Sequence, residues 1–262
     1  MEILNLIDPE EFKVYLLVLA RMGFVLFMLP IFATTMFPAL VKAAFAMVVS
    51  MLLYSVVNVD PALFPETVVA TGLLFVTEAM IGLTLGVCVR TFFGSVQLAG
   101  QIIGFQMGFA MINVVDPQSG ANVSIMEQIA YWVALLVFLL LNGHHIMLLA
   151  LVESFELVPP GFFMFQEAML TRVLGLGAEM FVLAIKIGAP VIAALLFTSA
   201  AFGLTAKFSP QMNVMIVAFP LKIIVGLMLF GLSLNIVLRV VRAFISELKP
   251  LFLSLLFWAG GG

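Results

Sequence analysis

The sequence predicts an all-α, polytopic integral membrane protein whose helices are broken and kinked by proline. Three observations carry that prediction. Apolar runs of about twenty residues recur along the 262-residue chain, each long enough to cross ~30 Å of hydrocarbon as a helix. Hydrophobic residues make up 64% of the chain and charged residues 10%, with a mean hydropathy of +1.27. No segment of about ten residues alternates in polarity as a barrel strand does, which leaves helix as the way to satisfy a backbone in lipid. No stretch is polar enough for a second, soluble domain, so residues 1–262 are read as one.

In order, the apolar segments run Val14–Ala33, Ala39–Val59, Val68–Phe93, Val96–Ile112, Ile129–Leu141 continuing into Ile146–Val152, Leu176–Ala206 and Val214–Leu238. Pro30 and Pro38 frame a first break, Asp60-Pro61 and Pro65 a second, and Pro159-Pro160-Gly161 a third. Val96–Ile112 is glycine-rich and marginal as a span. Leu176–Ala206 is too long for a simple one and carries Glu179, Lys186 and Pro190. Pro220 is expected to break or kink the last segment.

Seven ionisable residues lie inside these segments: Arg21, Lys42, Glu78, Arg90, Glu179, Lys186 and Lys222. A charge at the centre of a lipid-exposed helix costs at least ~2.5–3.5 kcal/mol, so each is expected to face protein or water. The five cations outnumber the two acids, so pairing within the chain leaves cations over. These residues are candidates for buried charges that serve assembly.

Gly100, Gly104 and Gly108 repeat at four-residue spacing, as Gly82 and Gly86 do earlier. Such spacing lets membrane helices approach closely, within one chain or between subunits. The ladder runs into GFQMGFAMINVVDPQSGANVSIMEQ, residues 104–128, which opens with Phe105, Met107, Phe109 and Met111 and turns polar at Asp116-Pro117 and Ser119-Gly120. It reads either as a surface turn or as an adaptable loop whose soft methionines pack and can be displaced. Ser124-x-x-Glu127 has the spacing of a capping box. Farther on, Ser209-Pro210-Gln211 with Asn213 makes a tight turn ahead of Pro220 and Lys222.

Several classes of chemistry lack their residues. The eleven basic residues are scattered and the net charge is −3, which does not make a nucleic-acid surface. One cysteine, Cys88, cannot form an internal disulfide or a thiolate metal site. His144 and His145 are adjacent, whereas helical metal pairs use i, i+3 or i, i+4, so Asn142-Gly143-His144-His145 reads as a helix-to-helix turn. Ser199 and Ser209 lack a strand–turn–helix elbow, and no phosphate loop appears. Neither a cofactor nor an enzymatic activity is expected.

The N-terminal flank carries Glu2, Asp8, Glu10 and Glu11 against Lys13, and the C-terminal flank Arg239, Arg242 and Lys249 against Glu247. The excess of basic residues puts the C-terminus in the cytoplasm and the N-terminus outside. The acidic start is unlike a cleaved signal, so the first span is expected to serve as its own insertion signal. Pro30, Pro38 and Lys42 echo Pro210, Pro220 and Lys222, a faint sign of internal repetition.

The DPQSGAN loop, the NGHH turn followed by Ser154-Phe155, and SPQMNV with FPLK occur in the order of the FliR-type family of flagellar export-gate subunits, which the chain resembles over nearly its whole length. The resemblance implies a structural subunit of the bacterial inner membrane at the flagellar basal body, with its N-terminus periplasmic. It would assemble with FliP-like and FliQ-like partners into a helical pore complex beside FlhB-like and FlhA-like components, and pass unfolded flagellar proteins. Residues from about 1 to 175 would be FliP-like and from about 176 to 262 a FliQ-like hairpin, its tip at Ser209-Pro210-Gln211. The loop from Gly104 through Ser119 and Gly120 would be the family's pore plug. A rival reading from the residues alone is a self-contained ion-coupled transporter, with Glu78, Glu179, Lys186 and Lys222 as its relay.

Overall fold

The computed structural model describes residues 8–32, 37–109, 124–208, 211 and 214–261. Among them every regular element is helical: α1 (Pro9–Met28), α2 (Ala39–Leu53), a 3-10 turn (Pro61–Leu63), α3 (Val68–Met107), α4 (Ile125–Leu140), α5 (Gly143–Leu157), α6 (Glu167–Phe208) and α7 (Val214–Ala259). By length and composition α3, α6 and α7 can each cross a membrane, and α4 with α5 can do so as one broken span.

The N-terminus of α1 is set by local chemistry. Asp8 accepts a hydrogen bond from the Glu10 amide at 3.0 Å, Pro9 occupies the first turn, and Glu10 and Glu11 face the positive end of the helix dipole. The helix stops at Met28 because Pro30 pushes Leu29 out of the helical region (ψ 137°). The apolar segment after Pro38 is helical only as far as Leu53, so α2 is 15 residues and too short to span. Beyond it Pro61 holds Asp60 extended, and the Asp60 carboxylate caps the Ala62 amide at 2.9 Å.

The two segments expected on either side of Gly94 form one 40-residue helix, α3. A glycine inside a helix costs about 1 kcal/mol, less than stranding backbone groups in apolar surroundings. Ser95 turns its hydroxyl back to the Phe92 carbonyl at 2.6 Å and leaves the ladder intact. α7 also continues through Pro220 without breaking, although the proline removes one backbone bond of the helix, and the Arg239–Lys249 flank lies within it. The expected capping box does not form, since Ser124 occupies the N-cap of α4 but its hydroxyl makes no cap bond. The turn at Asn142 is real, with that residue left-handed at φ 57°.

The chain divides into two compact units. One comprises Met1–Thr91, Asn142–Leu176 and Ile245–Gly262, with Leu17, Met22, Ile81, Leu85, Leu151 and Phe252 fully buried. The other comprises Phe92–Leu141 and Gly177–Phe244. Its core is aromatic: Phe92 stacks on Phe244 with centroids 3.8 Å apart, and Phe93 meets Phe138 edge-on at 5.6 Å.

Candidate functional site

In the first unit, Arg21 of α1 and Glu78 of α3 are both 0% exposed and form a two-pronged ion pair. Nε donates to Oε2 at 2.5 Å and Nη2 to Oε1 at 3.0 Å. Nη1 donates to the Ser154 carbonyl at 2.8 Å and to its hydroxyl at 3.2 Å, and the guanidinium lies 4.2 Å from the centroid of the Phe155 ring. Oε1 of Glu78 also accepts the Gly161 amide at 3.1 Å. The planar fork of arginine matches a carboxylate in this way, and a lysine would not. The cluster fastens α1, α3, α5 and the Pro159-Pro160-Gly161 turn to one another.

The sequence pointed to Arg21 and Glu78 separately. It missed that they are partners, and it missed Gly161 as a ligand of the carboxylate. The signal available was Ser154-Phe155, which closes the helix that the histidine turn opens and supplies both the carbonyl and the ring.

The other five charges lie elsewhere. Lys42 and Lys222 are half-buried, with the Lys42 ammonium 5.9 Å from the Phe27 ring centroid. Arg90, Glu179 and Lys186 are exposed on helix surfaces in the isolated chain. A pair not anticipated from the sequence joins Lys249 of α7 to Glu153 of α5 at 2.6 Å, 43% and 38% exposed.

Both glycine ladders are packing seams within a unit. A Cβ on Gly82 would lie 2.5 Å from the Phe24 Cβ, and one on Gly86 would strike Met28, so α1 rides directly on α3. A Cβ on Gly100 would lie 2.6 and 2.7 Å from the backbone of Met126 and Glu127, and one on Gly104 would strike the Ser124 hydroxyl. Gly108 ends α3 with φ 95° against the Phe219 ring. Met107 is fully buried in a slot left by Gly226, Phe109 is half-buried, and Phe105 stands 72% exposed. Met111, Asp116, Pro117, Ser119 and Gly120 lie outside the described residues, as do Ser209, Pro210 and Asn213. Gln211 and Pro220 are exposed. His144 and His145 open α5 with ring centroids 4.2 Å apart.

A buried charge clamp and helices that leave apolar surface uncovered fit a subunit of a membrane assembly. Sequence comparison decides the family: the description "Bacterial export proteins, family 1" matches residues 12–248. The chain belongs to that family. It is similar to the flagellar biosynthetic protein FliR of Bacillus subtilis, 34% identical over 236 residues that cover 89% of this chain and 90% of that one. It is also similar to the FliR proteins of Escherichia coli, 30% identical over 70% of each chain, and of Caulobacter vibrioides, 28% identical over 86% and 90%. As a FliR-type member of the bacterial export proteins, the chain is a membrane component of the flagellar export apparatus.

Proposed function

We propose that the chain is a structural, non-catalytic, pore-forming subunit of the flagellar type III export gate. In this reading it assembles with FliP-like and FliQ-like subunits in the inner membrane at the flagellar basal body, next to FlhB-like and FlhA-like components. The assembly passes unfolded flagellar proteins, driven by energy supplied elsewhere in the machine. The C-terminus is cytoplasmic and the N-terminus periplasmic. Residues from about 1 to 175 form the FliP-like part and the remainder the FliQ-like hairpin.

The observation that carries this reading is the surface of the long helices. Arg90 on α3 and Lys186 on α6 are exposed on helices whose most apolar windows have mean hydropathies of 2.0 and 2.3. Lipid around such positions costs at least ~2.5–3.5 kcal/mol per charge, whereas a protein partner removes that cost. Against the rival transporter stands Glu78, whose two oxygens are both held by Arg21. A carboxylate fixed in that way is withdrawn from any proton relay.

The segment from Gly104 to Gly120 is proposed as the plug, with Met107 as its buried anchor and Phe105 at its exposed base. Co-expression with FliP- and FliQ-like subunits tests the whole reading. The three are expected to co-purify from detergent, and the lone chain to be degraded or aggregated, since partners that bind only the folded form protect it. A lone chain that stays monodisperse and protease-resistant would overturn it.

A further inference from the structure

Lys186 is the twentieth residue of the 42-residue α6, and the twenty residues after it, Ile187–Ala206, carry no charge. The residue is exposed, and Val182, Ile185, Ala189 and Ala193 around it are exposed as well. A second feature falls at the same place. Pro190 lies inside α6, and having no N–H it cannot donate to the carbonyl four residues earlier, which is that of Lys186. One spot on an apolar surface therefore presents an ammonium with three donors and a backbone acceptor deprived of its helical donor. Ala189 and Ala193, three and seven residues on, keep the surface beside it low enough for another backbone to come close.

We propose that this face of α6 seats an apolar helix of another polypeptide, which brings a carboxylate to the Lys186 ammonium and a hydroxyl or amide donor to the Lys186 carbonyl. Hydrocarbon supplies neither group, and a helix without an acid leaves the ammonium unpaired. The inference rests on the assembly proposed above and names the face and the partner chemistry within it.

The test uses the full chain co-expressed with its FliP- and FliQ-like subunits. A photo-crosslinking residue at position 186 is expected to trap one partner chain. Lys186→Glu is expected to lower the yield of complex about thirtyfold or more, because it sets two carboxylates against each other without water. Lys186→Met keeps the chain insertable and is expected to lower the yield while membrane levels of the lone chain stay the same. Exchanging the charges, with Lys186→Glu and lysine at the trapped partner acid, is expected to restore assembly. Three results would each overturn the inference with the assembly intact: normal yield of both single variants, crosslinks only to lipid, or ready labelling of Lys186→Cys by a water-soluble maleimide in the complex. Failure of the unmodified chain to co-purify would instead remove the assembly reading, and this inference with it.

Discussion

Arg21 and Glu78, 57 residues apart in sequence, meet through two hydrogen bonds of 2.5 and 3.0 Å with both side chains fully buried. Neither charge touches water, so the pair stands or falls as a unit. Removing one member strands the other, at about 3–5 kcal/mol, whereas replacing both by apolar residues of similar size is often neutral or stabilising. Glu78→Gln and Arg21→Met are each expected to lower the thermal stability of the purified export complex markedly. The double variant Arg21→Met/Glu78→Leu is expected to recover most of the loss. A double variant as unstable as the sum of the two singles would show that the residues act independently.

The Lys249–Glu153 pair provides a contrast at nearly the same distance, 2.6 Å. Its partners are partly exposed, and water screens such a pair, which limits its worth to about 1 kcal/mol or less. Lys249→Met is expected to leave the melting temperature within a few degrees of the parent. A loss approaching that of Glu78→Gln would mean that partner subunits bury the pair in the assembled gate.

Gly104 tests the second seam. A Cβ there meets the Ser124 hydroxyl, while the Met126 Cβ and the Ser124 Cβ lie at 3.3 and 3.5 Å. The hydroxyl has no hydrogen-bond partner, so it can be removed without stranding another group. Gly104→Ala is expected to destabilise the fold by about 1–3 kcal/mol, and adding Ser124→Ala to restore it. Protease resistance in mild detergent would report both effects, and a double variant as labile as Gly104→Ala would refute this account of the seam.

Met107 and Phe105 stand two residues apart and are expected to behave oppositely. Met107→Ala empties the slot over Gly226 and is expected to cost about 2–5 kcal/mol of stability. Phe105→Ala removes a largely exposed ring and is expected to leave stability unchanged. If the plug proposal holds, deleting residues 111–121 leaves assembly intact and makes cells permeable to small ions and dyes. An assembled deletion complex in a tight membrane would rule the plug out.

The sequence alone was enough to make the protein helical and membrane-embedded. Its apolar runs and scarcity of charge exclude other ways of satisfying a backbone in lipid. Local chemistry also marked the ends of elements, because Pro30, Asp60-Pro61 and Asn142 act within a few residues of themselves, while the start of α1 at Asp8-Pro9 emerged only in the structure. Glycine inside a long apolar stretch misled at Gly94, since its intrinsic cost is overridden where packing and the absence of water favour an unbroken ladder, and at Pro220 the helix does not break although one of its bonds is lost. Only the tertiary structure paired Arg21 with Glu78, set Ser154, Phe155 and Gly161 around them, and left Lys186 uncovered. Partnership between residues 57 or 133 positions apart depends on how helices pack, and hydropathy carries no record of that.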